Sequence, residues 1–277
     1  MTTGIFLVVL FSALLHASWN AVVKVGSDKL LSTALVTAGS ALLSALCLPF
    51  LSRPDQASWP FIAGSVTLQW IYFRLLAAAY READMGVCYP IMRGTAPLLV
   101  ALASMLRLGD GLSTLAWIGV LAICAGILTM TSRLPAHSRK GALLALANAF
   151  IIAGYTLTDG IGVRRSGAPI AYTLWIFFLT GLLFVSSVAG RRATAFGATL
   201  RANWRAGLLG GLGSVGSYAI VLWAMTRAPL AEVAALRETS ILFGALIAMV
   251  WLKETMRPRG FLAIALIIAG AMVLRLA

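Results

Sequence analysis

RGTAPLLVALASMLRLGDGLSTLAWIGVLAICAGIL, residues Arg93–Leu128, returns without a gap 144 positions later as RETSILFGALIAMVWLKETMRPRGFLAIALIIAGAM, residues Arg237–Met272. Arg93 falls on Arg237, Thr95 on Thr239, Leu98 on Leu242, Ala101-Leu102 on Ala245-Leu246 and Met105 on Met249. Leu108 then meets Leu252, Ile123 meets Ile267, and Ala125-Gly126 meets Ala269-Gly270. Apolar coincidences are cheap in a chain this apolar. A matched arginine followed by a matched threonine is not. The repeat divides the chain into two halves, 1–133 and 138–277, joined by a short connection at 134–137.

Working outward from that stretch, uncharged or nearly uncharged runs recur along the whole chain. They lie near Gly4–Val23, Leu30–Ser52, Ala57–Arg74, Met85–Leu106, Gly111–Ser132, Gly141–Thr158, Ser166–Gly190, Ala206–Thr226, Ala228–Leu252 and Phe261–Leu274. A hydrocarbon core of about 30 Å takes roughly 20 helical residues, so each run is a candidate span. β-Barrel strands would alternate polar and apolar residues, which these runs do not. The first run lacks a basic start and a cleavage site and reads as a retained helix, not a signal peptide. Each half then holds five spans. Five is odd, so the second half enters the membrane from the opposite side, as in transporters built from inverted repeats. The expectation is an all-α integral membrane protein of about ten transmembrane helices in two inverted five-helix repeats, multi-pass in the cell inner (plasma) membrane.

Composition agrees. Hydrophobic residues make up 60% of 277 positions, charged residues only 11%, and mean hydropathy is +0.93. A soluble domain carries about 25% charged residues. The net charge of +13 does not point to nucleic acid, because no soluble basic domain is present to bind it. Most Lys and Arg fall in short connections, the longest of them between Arg191 and Arg205. On the side shared by both termini lie six: Arg53, Arg107, Arg164, Arg165, Arg227 and Arg275. Of the 22 in all, three are inside runs and the other thirteen lie opposite. The positive-inside rule then puts both termini outside the cytoplasm. Cys47, Cys88 and Cys124 are isolated in apolar stretches and form neither a disulfide framework nor a metal spacing.

The three arginines inside runs are Arg74, Arg93 and Arg237. A charge near the bilayer centre costs on the order of 3 kcal/mol, so such residues face a cavity or a partner. Arg74 follows Trp70 by one turn and Arg93 follows Tyr89 by one turn. The competing reading lets Arg74 snorkel to the interface and pairs Arg237 internally with an acid. Glu238 adjoins Arg237, but on a continuous helix it points about 100° away. Arg93 has no acid within one turn, so an acid from another helix or the substrate itself must neutralise it. His16, Asn20 and Lys24 recur at i, i+4 on one face of the first helix. His16 is a candidate for a coupling proton, with a hydrogen-bonded interhelical histidine as the alternative. Lys24 ends its helix at the interface. Gln69, Asn148 and Tyr155 offer neutral hydrogen bonds or helix packing. Asp159 is a second candidate for a proton or an amine, or else a partner of Arg164. Tyr218 is placed to line a cavity. Gly211–Gly216 matches the dinucleotide fingerprint, but no strand precedes it; Gly207, Gly210, Gly211, Gly213 and Gly216 read as helix-packing residues.

The motifs His16-Ala17-Ser18-Trp19-Asn20, Ala228-Pro229-Leu230-Ala231, Leu236-Arg237-Glu238-Thr239 and Trp251-Leu252-Lys253-Glu254 resemble the drug/metabolite transporter superfamily, specifically its EamA-type members. The resemblance covers essentially the whole chain. The first of these motifs and Tyr155–Gly160 are also similar to a bacterial subgroup associated with phosphonate utilisation. One departure is Gly109-Asp110 in the first half where the second has Lys253-Glu254. The implied function is secondary transport, by alternating access, of a small polar, anionic or zwitterionic metabolite, amino-acid-like or phosphonate-like. The candidate substrate contacts are Arg93, Arg237, Arg74, His16, Asn20, Gln69, Tyr89, Tyr155, Tyr218 and Glu238, with His16 and Asp159 as coupling-proton candidates. The alternatives are a flippase for an anionic lipid-linked headgroup and an exporter of cationic amphipathic compounds. No catalytic set, metal or cofactor is expected. The partners are the small-molecule substrate, the lipid bilayer and a coupling proton or counter-substrate, with a monomer or homodimer as the assembly.

Overall fold

The computed structural model describes residues 1–26, 28–109, 111–131, 138–250 and 258–277. The 134–137 connection, the Trp251–Glu254 motif and the side chain of Lys24 lie outside the described residues. Within a bilayer every backbone N–H and C=O must be satisfied internally, and long apolar runs meet that need as helices. The described elements are α1 (Thr3–Val25), α2 (Lys29–Cys47), α3 (Trp59–Glu82), α4 (Met85–Leu108), α5 (Thr114–Thr129), α6 (Arg139–Arg165), α7 (Pro169–Met225), α8 (Leu230–Arg237), α9 (Ser240–Val250) and α10 (Pro258–Leu276). Their starts follow from local chemistry. The side chain of Thr2 accepts from the Ile5 N–H, that of Asp28 from Leu30 and Leu31, and that of Ser113 from Ala116. Helix α4 stops at Gly109, whose φ of 66° is left-handed and free of cost only for glycine.

Two departures from the sequence expectation bring the described helices to ten candidate crossings. Helix α7 is 57 residues long and contains two spans, separated by non-helical dihedrals at Arg192 and Asn203. The stretch 191–205, expected as a loop, is therefore helical. Its Phe196 is buried with Phe184, Val188 and Leu31, while Arg191, Arg201 and Arg205 stay exposed, the pattern of a helix lying at the interface. Conversely, α8 and α9 share one span, interrupted at Glu238-Thr239.

Contacts between connections fit this path. Lys140 Nζ pairs with Glu82 Oε1 at 2.8 Å and Arg192 Nη1 with Asp28 Oδ2 at 2.8 Å, all on one side. On the other side the Asp55 N–H donates to the Ser166 carbonyl at 2.9 Å. Arg164 there donates to the carbonyls of Met225 and Ala228, and Arg275 to the Met1 carbonyl and the Thr3 hydroxyl.

The halves interleave. Helix α3 packs on α6 as its repeat counterpart, the second span of α7, packs on α1; α4 packs on α6 as α8 and α9 pack on α1. Helix α5 packs on its own counterpart α10. Small residues permit the closest approaches. A Cβ on Gly39 of α2 would sit 2.7 Å from the carbonyl carbon of Gly207, and one on Gly211 would sit 2.6 Å from that of Gly39. Gly207, Gly210 and Gly211 thus pack on α2, which accounts for the glycine cluster without a nucleotide. Gly213 and Gly216 meet α1 only at ordinary distances, 3.4 Å and 3.8 Å.

Candidate substrate site

The polar residues of both halves converge where α1, α3, α4, α6, α7 and α8 meet. Helix α4 carries Tyr89 and Arg93 one turn apart. Across from them α8 ends in Arg237, and the chain tightens: the Glu238 N–H donates to the Ala235 carbonyl and the Thr239 hydroxyl to the Leu236 carbonyl. That turn alters the direction expected of Glu238. Its carboxylate lies 3.7 Å from Nη2 of Arg237, and its Oε2 is 2.8 Å from Nε of Arg93. The acid that Arg93 lacks in its own half is therefore supplied by the other half. All three residues are buried. The Arg93 pair is an ion contact whose N–H is not aligned for a hydrogen bond, and Arg93 Nη2 and Arg237 Nε are buried donors without a hydrogen-bond partner among the described residues.

Aromatic hydroxyls surround these charges. The Arg237 guanidinium lies over the Tyr218 ring at 5.7 Å. Tyr155 stands edge-on to Tyr72 at 6.0 Å, and both are within electrostatic reach of Arg93. His16 is within the same reach of Arg93 and Arg237, its ring edge-on to Trp19 at 5.2 Å. The Tyr218 hydroxyl donates at 2.6 Å to Oδ2 of Asp159, whose Oδ1 is 3.4 Å from the Tyr172 hydroxyl. Ser65, close to the same carboxylate, accepts from the Gln69 amide at 3.0 Å.

Of the residues singled out by sequence, Arg93, Arg237, Glu238, Tyr89, Tyr155, Tyr218 and His16 come together, with Asp159 and Gln69 in an adjoining network. Three do not join them. Arg74 is exposed with its guanidinium 4.7 Å over the Trp70 ring, and the Asn20 amide is spent on the His16 carbonyl at 2.7 Å. Asn148 donates to the Met92 sulfur. Tyr72, Tyr172 and Ser65 were not singled out. Only the i, i+4 spacing of Ser65 and Gln69 hinted at them. Beside the charges, Pro97, Thr156, Ala234, Arg237 and Glu238 line about 10 Å³ of free space, room for about one water.

The sequence profile of the EamA-like transporter family matches residues 2–132 and again 139–276, nearly the whole chain in two parts. The chain belongs to the EamA-like transporter family. It is a multi-pass membrane protein, and transport is its class of function. An "Uncharacterized transporter YwfM" of Bacillus subtilis (strain 168) is 22% identical over 242 residues, 87% of this chain and 81% of that protein. One crystallographically determined protein superposes with a TM-score of 0.75 at 21% identity, covering all of this chain and 98% of that one. At that identity the likeness speaks for the fold alone. Against it, the arginine cluster occupies the seam between the two family-matched parts: Arg93 comes from the first, and Arg237 and Glu238 from the second.

Proposed function

We propose that this EamA-type transporter carries a small anionic or zwitterionic metabolite, with a carboxylate or phosphonate group, by alternating access around Arg93 and Arg237. The observation that carries the reading is the pair of buried, unpartnered guanidinium nitrogens, Arg93 Nη2 and Arg237 Nε, on either side of one shared carboxylate. A buried charged donor without an acceptor is costly, and an incoming oxyanion would supply that acceptor. Glu238 is the resident counter-ion that the substrate partly displaces. Tyr89, Tyr155, Tyr218 and His16 supply the neutral wall. Because the cluster joins the two halves, rocking one half against the other would expose it to each side in turn.

The test is uptake into proteoliposomes of methylphosphonate, glutamate and choline, with Arg93→Lys and Arg237→Lys variants at matched reconstitution. A lysine keeps the charge but loses the planar fork. Hydrogen bonds to charged groups contribute about 1.5–3 kcal/mol, so each variant should weaken anion binding roughly 10- to 100-fold. Choline uptake without anion uptake, or lysine variants equal to the parent, would overturn the reading.

A second reading has one observation in its favour. An apolar groove of about 450 Å³ runs between α1 and α7 beside Trp19, lined by Leu15, Leu209, Leu212 and Gly213. Such a lateral opening suits an anionic headgroup on a lipid tail. Movement of a labelled anionic lipid between leaflets, with no uptake of the soluble anions, would favour it.

A further inference from the structure

We infer that the carboxylate of Asp159 is a proton-binding site coupled through Tyr218 to the arginine pair, so that a proton crosses the membrane together with the substrate anion. The coupling rests on the anion reading given above; the proton site itself does not.

Asp159 is fully buried in the interior of α6, in a segment apolar enough to span the bilayer. A carboxylate in such a place needs compensation. Its hydrogen-bond partners are neutral, the Tyr218 and Tyr172 hydroxyls from α7, and the Ser65 hydroxyl of α3, held by Gln69, lies close by. Arg237 of α8 is the cation within its electrostatic reach, and Tyr155 lies one turn before it on α6. The contact with α7 is close by construction. A Cβ on Gly162 would come within 2.8 Å of the Tyr172 ring carbon bearing the hydroxyl and 2.5 Å of the Phe61 Cβ, so glycine at 162 is what lets the Tyr172 hydroxyl reach α6.

Charge balance gives the coupling its sign. Arg93 and Arg237 are already matched by Glu238 and a charged Asp159. A substrate monoanion adds one uncompensated negative charge in a region where water does not screen it. Adding one proton to Asp159 restores neutrality, with an O–H bond forming at Oδ1. That oxygen is held only at 3.4 Å, whereas Oδ2 keeps the 2.6 Å bond from Tyr218. Tyr218 is the physical link, since its ring faces Arg237 while its hydroxyl holds Asp159. His16 is also within electrostatic reach of both arginines, but it offers no negative charge to cancel.

Two measurements on the full chain in lipid decide the matter. Infrared difference spectra between acidic and alkaline buffer should show a carboxylic-acid carbonyl band that is lost in Asp159→Asn and retained in Glu238→Gln. The band should shift in Tyr218→Phe, whose carboxyl has lost its short hydrogen bond. A merely structural aspartate would give no titrating band. Absence of the band in the parent, or its survival in Asp159→Asn, overturns the proton site. In the second measurement, methylphosphonate is added outside liposomes containing a trapped pH dye. Uptake by the parent should acidify the interior, and Asp159→Asn should lose that signal while still exchanging labelled for unlabelled methylphosphonate. Uptake by the parent without proton movement overturns the coupling. Failure of the parent to take up or exchange the anion would instead remove the anion reading and the coupling with it, leaving the infrared result to judge the proton site.

Discussion

Glu238 stands where the first half has Gly94, so one carboxylate serves both arginines of the repeat. The asymmetry has a steric cause. A Cβ on Gly94 would lie 2.8 Å from Leu128 Cγ and 3.3 Å from the Cys124 carbonyl, leaving no room for a side chain there. Removing one member of a buried ion pair leaves the other uncompensated and costs about 3–5 kcal/mol. Glu238→Gln should therefore lower the melting temperature of the detergent-purified protein, and phosphate should recover more of that loss than it adds to the parent. Equal stabilisation by phosphate in both proteins would show that the arginines do not meet free anions. At this scale the sequence was informative about charge and silent about facing. Arg93 and Arg237 were conspicuous because a guanidinium inside an apolar run needs a reason. Tyr72, Tyr172 and Ser65 were not, because hydroxyls are common in membrane helices and only packing decides which of them meet.

Between elements, stability lies in how closely the helices approach, since lipid removes much of the hydrophobic drive for association. The α2–α7 seam is the clearest case, with Gly39, Gly207 and Gly211 in backbone contact and the Ser40 hydroxyl 3.4 Å from the Gly211 carbonyl. Gly211→Leu should destabilise the protein by about 1–3 kcal/mol, the usual cost of overpacking. Gly213→Leu, two residues away, should be tolerated, because its neighbour is Trp19 Cβ at 3.4 Å beside an open groove. Thermal unfolding followed by tryptophan fluorescence would separate the two; equal melting temperatures would refute the packing assignment. Runs of apolar residues made the crossings legible. The break at Glu238-Thr239 was not, since it arises where a carboxylate is drawn to an arginine in another helix. The helix at 191–205 was hidden for a different reason: its charged face reads as a loop until Phe196 finds Phe184 and Val188.

At the scale of the molecule, the repeat in the sequence and the contacts in the fold say the same thing. Helix pairs recur in related sets, α3 with α6 and α1 with α7, so neither half has a closed surface of its own and the charged cluster belongs to both. What remains is which way the molecule faces. With the connections assigned to sides as the sequence predicts, thirteen Lys and Arg fall opposite the termini and six on the terminal side. Orientation follows the count of Lys and Arg in short loops; acidic residues contribute little, so Glu82 and Asp28, although paired with Lys140 and Arg192, do not offset it. All the connections here are short enough for the rule to apply. The 191–205 helix strengthens the case, because it brings Arg191, Arg192, Arg201 and Arg205 to one face of the membrane, where anionic headgroups of the cytoplasmic leaflet attract them. Both termini should then lie outside the cytoplasm. An alkaline phosphatase fused after Ala277 should be active and a green fluorescent protein at the same place dark. Replacing Arg191, Arg192, Arg201 and Arg205 with glutamine should reduce the bias toward that orientation, and a fluorescent carboxy terminus in the unaltered chain would reverse the assignment.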